Sequence, residues 1–335
     1  MLLWHSPRLS ILLPVSFGAV SCWLLLRILI PLLRQRLLDH PNARSSHCKP
    51  VPRGGGIAFV VVTLLSSAFD YSPGYWSSAA SLPLLAAPLS LVGLLDDRHS
   101  LPASLRYFAQ LLTASLILFS SPLIQHSWSV LFPGSLLFFL LFVLFVISFT
   151  AVINFTNFMD GLDGLVAGCM FVVITAFSFA FDASLSLWVL IGSLLAFLFC
   201  NWSPAKVFMG DSGSTFLGAV LAGLVFYSPS WPDAIAYLFV ATPLLADASV
   251  CVFRRLLAGQ RVFQAHRLHL YQRLHQAGWS HSRVSLTYIS ATVFLAVAMH
   301  IGGLPWVFIL AAAELLFGVW LDHRFAVPFA VTSKS

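Results

Sequence analysis

The chain has 335 residues, 59% hydrophobic and only 9% charged, where a soluble domain carries about a quarter charged residues. With a mean hydropathy of +0.90, this excludes a soluble globular protein and leaves a polytopic membrane protein. Net charge is +6, yet acidic residues number only 12, with Glu314 the one glutamate, so the position of each aspartate is informative.

The first apolar run is longer than the apolar region of a signal peptide and has no Ala-x-Ala cleavage pattern, so it reads as a retained span. Taking about 17 to 25 apolar residues per span, helices are expected near residues 9–33, 54–70, 78–95, 105–124, 131–153, 163–181, 185–200, 213–229, 234–253, 284–301 and 304–321. The predicted fold is therefore all-α, a single membrane-embedded domain over 1–335 with about 11 transmembrane helices. Loops 34–53, 96–104, 154–162, 201–212 and 254–283, with the tail after 321, then share one face. Of the 18 Lys and Arg, all but Arg8 and Arg27 fall on that face. The positive-inside rule makes it cytoplasmic and puts the N-terminus outside and the C-terminus in the cytoplasm. The opposite face holds isolated acids, Asp70, Asp182 and Asp233, which read as solvated turn residues. Cys22, Cys48, Cys169, Cys200 and Cys251 form no CxxC pair and lie mostly in apolar runs, so they read as small fillers.

The first loop ends Lys49-Pro-Val-Pro52-Arg53-Gly54-Gly55-Gly56 and opens a helix. Glycines there suit either phosphate contact at a helix N-terminus, helped by Lys49 and Arg53, or tight helix packing; phosphate contact is favoured. The second loop carries Asp96-Asp97-Arg98. Adjacent carboxylates need a cation between them or a proton; magnesium takes oxygen ligands and bridges phosphates, while pairing with Arg98 and Arg106 is the structural alternative.

The third loop is the densest polar knot, Asn154-Phe-Thr-Asn157-Phe-Met-Asp160-Gly-Leu-Asp163-Gly164, set after a long apolar run. Steps of three residues fan about 60° apart on an ideal helix, so these groups converge only if the backbone tightens or breaks, as Gly161 and Gly164 allow. The fourth loop, from Asn201, ends Gly210-Asp211-Ser212-Gly213-Ser214 before a helix. Asp211 or Ser212 alone would suit an N-cap. Together with Asp96, Asp97, Asp160 and Asp163 on one face, a joint metal and phosphate site is the better account.

Asp247 lies inside the ninth predicted helix and is assigned either to the floor of that site or to an arginine partner. Glu314 reads as structural. In the fifth loop His266, His269 and Arg273 fall on one helix face at offsets three and four, a cationic or hydrogen-bonding comb suited to phosphates. A zinc site there competes, but no H-E-x-x-H pattern and no cysteine partner in sequence supports it.

These ordered motifs, Pro52 to Gly56, Asp96-Asp97, Asn154-x-x-Asn157-x-x-Asp160-Gly-x-Asp163-Gly164, Val207-Phe-Met-Gly-Asp211-Ser-Gly-Ser214 and the histidine loop, resemble the polyprenyl-phosphate N-acetylhexosamine-1-phosphate transferase family over nearly the whole chain. The spaced form of the last motif looks like the branch that initiates O-antigen and related surface polysaccharides rather than the peptidoglycan branch. The resemblance implies a bacterial inner-membrane enzyme with a cytoplasmic-face active site, in which undecaprenyl phosphate attacks a UDP-N-acetylhexosamine and releases UMP.

It also implies Mg2+, with Mn2+ as substitute, and Asp211 as metal ligand. Asp96 and Asp97 would handle metal or proton, Asp160 and Asp163 would organise the active site, and Lys49, Arg53, Asn154, Asn157, Asn201, His266, His269 and Arg273 would bind substrate. Expected partners are the two substrates, inner-membrane lipid and a second copy in a homodimer, with no nucleic acid. The competing class is a lipid-linked sugar transporter, whose polar groups would sit near the midplane between repeats.

Overall fold

Long apolar runs without internal polar partners can satisfy their backbone in a bilayer only as helices, and the chain is built accordingly. The computed structural model describes residues 7–41, 46–47, 49–70, 78–130, 136–181, 183–261 and 266–329; Arg44, Cys48 and Asp182 lie outside them. In chain order the helices are α1 (Pro7–Arg36), α2 (Ile57–Ser67), α3 (Leu82–His99), α4 (Ala103–Ser120), α5 (Pro122–Val130), α6 (Leu136–Phe158), α7 (Leu165–Ala180), α8 (Leu185–Asn201), α9 (Asp211–Phe226), α10 (Trp231–Val240), α11 (Thr242–Leu257), α12 (Leu270–Gln276) and α13 (His281–Arg324). Between α1 and α2, β1 (Leu38–Asp39) pairs antiparallel with β2 (Val51–Pro52).

The protein is an all-α, multi-pass membrane protein, but a count of eleven spans is not what helix length gives. Among the described residues five stretches are long and apolar enough to cross a bilayer: Ile11–Arg36, Ala79–His99, Ala103–Ser120, Leu136–Phe158 and His281–Arg324. The pair α10 and α11, bent by 78°, makes a sixth if taken as one span. Helices α2, α7, α8 and α9 are shorter; sixteen residues reach about 24 Å, less than the roughly 30 Å of hydrocarbon. The expected segments 54–70, 163–181 and 213–229 take in flanking turn residues, whereas 185–200 matches α8 to within one residue. Their burial explains the shortness: every residue of α9 after Asp211 is buried, so its ends meet protein and the polar site rather than lipid. α13 is interrupted at Gly303 (φ 62°, ψ −153°), between the two segments expected there.

α9 is the axis of the bundle, with α3 and α6 against it, while α1 lies along α8 and α7 along α13. Small residues set the closest approaches: a Cβ on Gly18 would strike the Val189 carbonyl and one on Gly192 the Val15 carbonyl, the close helix contact that membranes favour. The outer helices expose large apolar side chains such as Phe17, Phe108, Phe139, Phe294 and Leu316. On the turns, Asp70 accepts the Ser186 N–H at 2.8 Å beneath α8, and Asp233 accepts from the Ser230 hydroxyl at 2.6 Å before α10. Asp70 thus serves the N-terminus of α8, and Asp233, in the first turn of α10, holds the capping residue Ser230, so neither merely meets solvent.

Candidate active site

Three backbone hydrogen bonds and two glycine contacts gather the loops at one end of α3, α6 and α9. Gly55 N–H donates to the Phe208 carbonyl and Gly56 N–H to that of Met209, both at 2.9 Å, while Phe208 N–H donates to Pro52 at 2.8 Å. A Cβ on Gly56 would meet Gly213, and one on Gly93 would meet the Asp211 backbone. This corrects the expectation of an open anion site at the start of α2: its N–H groups are already taken by carbonyls, and the glycines serve packing.

The stitching brings Arg53 between two acids far away in sequence. Its Nε lies 2.8 Å from Asp97 Oδ1 and a terminal nitrogen 2.6 Å from Asp211 Oδ1. Asp97, whose side chain is fully buried, also accepts the N–H groups of Asp211 at 3.1 Å and Ser212 at 3.5 Å. It is thus the anion at the N-terminus of α9, where the helix dipole favours one. With both oxygens engaged, Asp97 positions Arg53 and Asp211. Burial works against the Arg53 charge, but Asp211 and then Asp97 hold the guanidinium pKa above its ordinary value.

Asp96 accepts the Leu101 N–H at 2.6 Å and Arg106 at 2.9 Å, and its carboxyl also comes within hydrogen-bonding reach of Asp211. Of the two arginines named as structural partners, Arg106 pairs and Arg98 stays exposed. Two facing carboxylates repel unless a proton or a cation joins them, and hard oxygen donors of this kind suit a magnesium ion.

The polar knot tightens as its glycines allow. α6 runs to Phe158, then Asp160 N–H closes a three-residue turn on Asn157 O at 3.2 Å and Gly164 takes φ 76°. The four polar groups nevertheless fan outward. Asn154 exchanges hydrogen bonds with Gln110 on α4, and Asn157 accepts the Ser214 hydroxyl at 2.7 Å. Asp160 joins the acidic cluster: burial raises its pKa to about 7, with Arg53 opposing and Asp211, Asp97 and Asp163 reinforcing the rise. Asp163 turns away, bound by His281 Nδ1 at 3.1 Å and the Ala205 N–H at 3.2 Å. Burial opposes its ionisation, but these bonds, led by His281, keep its pKa below the ordinary value.

A cavity of about 340 Å³ lies beside the cluster, lined by Asp96, Arg106, Gln110, Asn154, Asn157 and Asp211, with His266 and His269 also in its wall. The two histidines are not on a helix with Arg273. α12 begins only at Leu270, because Asp247 accepts the N–H groups of Leu270 (2.7 Å) and Tyr271 (3.0 Å) and the Tyr288 hydroxyl (2.7 Å). His266 stacks on His269 with ring centroids 4.9 Å apart. Burial, then His269 and Arg255, push the His266 pKa down to about 3, so it offers hydrogen bonding without charge.

Other expected ligands are placed elsewhere. Arg273 is 2% exposed and reaches away to Leu268 O, Val327 O and Asp322. Asn201 spends both ends of its amide on backbone, accepting from Gly164 N–H and donating to Val207 O, each at 3.0 Å. Lys49 is exposed on its loop. Conversely, sequence reasoning missed Gln110, Tyr271 and His281. Tyr271 donates to Phe158 O at 3.0 Å and locks the turn; an amide within an apolar helix was the signal available for Gln110.

The family model for Glycosyl transferase family 4 matches residues 79–228, which include both carboxylate pairs of the knot and of α3 as well as Asp211. The "Probable undecaprenyl-phosphate N-acetylglucosaminyl 1-phosphate transferase" of Bacillus subtilis (strain 168) is 31% identical over 276 residues, covering 77% of this chain and 75% of that one. The decaprenyl-phosphate N-acetylglucosaminephosphotransferase of Mycobacterium leprae (strain TN) is 32% identical over 312 residues with the same coverage. A phospho-N-acetylmuramoyl-pentapeptide-transferase of Carboxydothermus hydrogenoformans is 34% identical over 110 residues, 32% of this chain and 33% of that one. With Arg53 clamped between buried acids beside a polar cavity and two long matches above 30% identity, this membrane protein belongs to glycosyl transferase family 4 and is a transferase.

Proposed function

We propose that the chain transfers N-acetylglucosamine 1-phosphate from UDP-N-acetylglucosamine to undecaprenyl phosphate, releasing UMP. An oxygen of the lipid phosphate would bond to the sugar-bearing phosphorus of the nucleotide as that phosphorus parts from the UMP oxygen. The observation that carries this reading is one cavity lined by the carboxylates of Asp96 and Asp211, by Arg106, by the amides of Gln110, Asn154 and Asn157 and by a histidine pair. The long relatives bear names of polyprenyl-phosphate N-acetylglucosamine transferases, whereas the muropeptide-transferase match covers a third of the chain.

Asp96 and Asp211 would hold Mg2+, or Mn2+ in its place, and bound metal would neutralise the diphosphate. Arg106, His269 and His266 would line the phosphates, Asn154 and Asn157 would orient donor groups, and Asp97 and Arg53 would position Asp211. A phosphate monoester has its second pKa near 6, so the lipid phosphate is largely dianionic at neutral pH and attacks directly; Asp160, with a pKa of about 7, is suited to accept the remaining proton. Asp163 would organise the turn through His281.

The whole chain would act as a single transferase domain of the bacterial inner membrane, its site on the cytoplasmic face. Eleven helical segments, leaving out the short α5 and α12 and counting α10 with α11 as one and α13 as two, would place the N-terminus outside. The product would start O-antigen or a related surface polysaccharide. Polar groups gathered at helix ends give the transporter alternative no supporting observation. The test is UMP release by purified protein with undecaprenyl phosphate, magnesium and a panel of UDP-N-acetylhexosamines. UMP should require both substrates and metal, N-acetylglucosamine should win, and Asp211→Asn should lose about 10³-fold. Silence with every sugar, while a control transferase works in the same detergent, would overturn the reading.

A further inference from the structure

In sequence the histidine loop has no cysteine near it, and that absence argued against a soft-metal site. The fold supplies one from another helix. Cys251 on α11 comes beside His266 and His269, and one ligand atom from each lies within 4.8 Å of the other two; among the described residues this is the one such grouping. We propose that Cys251, His266 and His269 form a binding site for a thiophilic divalent cation of the zinc type, separate from the carboxylate cluster, and that its occupancy withdraws both histidines from the transferase cavity.

The donor set is right for such an ion and wrong for magnesium. Zinc binds thiolate and imidazole at about 2.3 and 2.0 Å, and magnesium takes oxygen. A tetrahedral zinc would bring the three ligand atoms within about 3.3 to 3.8 Å of one another, so a closing movement of about 1 Å completes the arrangement.

Two independent features support a ligand there. His269 is 2% exposed and its Nδ1 faces the Asp247 carboxylate at 3.7 Å, so the atom it offers to an ion is Nε2. Metal-bound histidines commonly carry a carboxylate behind the ring, which fixes its orientation, and Asp247 stands in that place, itself anchored by Tyr288 and two backbone N–H groups. His266 stacks on His269 with ring centroids 4.9 Å apart, which keeps the two imidazoles side by side.

The site also has two approaches. Cys251 lines a mostly apolar cavity of about 360 Å³ between α11 and α13, while the histidines line the acidic cavity. The three protein ligands leave a fourth position for water. Uptake of the ion would release the Cys251 thiol proton to solvent, leaving the thiolate bound to the metal.

The binding half of the proposal is independent of the transferase reading; the blocking half rests on it. The experiment uses full-length protein in detergent, titrated with cadmium while the thiolate-to-metal charge-transfer absorbance is followed, and with zinc in competition with a chromophoric chelator. We expect one high-affinity equivalent, weakened at least tenfold in both Cys251→Ala and His266→Gln. Cys251→Ala should retain basal UMP release and resist zinc at least tenfold better than the parent. Equal titrations for parent and Cys251→Ala overturn the site. Loss in Cys251→Ala with full affinity in His266→Gln overturns the three-residue set and leaves a lone reactive thiol. Binding without inhibition of UMP release overturns the blocking role alone. If the parent releases no UMP at all, the transferase reading fails while the cadmium titration still decides the site.

Discussion

Arg53 shows how a single side chain sets the chemistry of this cavity. A guanidinium can bridge Asp97 and Asp211 together because its donors are spread in a rigid fork, a geometry that an ammonium cannot reproduce. Arg53→Lys should therefore lower UMP release by about 10²-fold, comparable to Arg53→Ala; a variant near parental activity would remove Arg53 from the positioning role. Asp160 gives a separate test. Its folded pKa of about 7 lies above the ordinary carboxylate value near 4, so the fold favours the protonated form. Stability from this group is full below about pH 4 and is lost as pH rises through about 7. Asp160→Asn should accordingly gain thermal stability relative to the parent above pH 7 and lose that advantage at pH 5, while the rise in UMP release near pH 7 flattens. Unchanged pH profiles in both measurements would contradict this assignment. The aspartates were legible in the sequence because acids are scarce in so apolar a chain. Their division of labour was not, since the partners of Asp97, Asp163 and Asp247 all come from elements distant in sequence.

At the scale of elements, helix ends aim the site, and small or buried residues fix those ends. α3 reaches the start of α9 only because Gly93 has no side chain; a methyl group there meets the Asp211 backbone. Gly93→Ala should displace that contact, destabilise the protein by about 1–3 kcal/mol and reduce UMP release more than tenfold, with thermal unfolding and the transferase assay as the two readouts. α12 depends on Asp247, which receives two N–H groups and a tyrosine hydroxyl. Asp247→Ala would strand these buried donors at about 1–3 kcal/mol each, visible as a lowered Tm together with loss of the histidine wall; a Tm equal to the parent's would refute the capping role. Periodicity placed His266, His269 and Arg273 on one helix face, and this failed because the helix starts after His269. The signal lay in Asp247, 23 residues before Leu270. The break at Gly303 was visible as a gap between apolar runs, and the length of α8 was visible too, whereas the shortness of α2, α7 and α9 was not, because hydropathy does not distinguish a neighbour helix from lipid.

Across the whole molecule, the charge asymmetry of the loops is the main guide to orientation. Cysteines introduced at exposed Lys49 and Pro232, in a background lacking other cysteines, should react with a membrane-impermeant thiol reagent from opposite sides, position 49 from the cytoplasm. Labelling of both from one side would refute the eleven-segment topology. The all-α character and the gathering of the motifs at one end of the bundle followed from composition and order alone. How far each helix sits from lipid required the packing of α9 inside a ring of neighbours.

The stitch between residues 52–56 and 207–213 also has a consequence for synthesis. Arg53 leaves the ribosome long before its partner Asp211, and the histidine wall waits for Tyr288 to anchor Asp247. At about 5–20 residues per second, the acidic half of the cavity, with Arg53 and Arg106 already in place, stands open for seconds before its last wall arrives. A nascent chain halted between α9 and α12 would hold the clamp without the histidines, so the capacity to handle phosphates arises in one step near the end of translation.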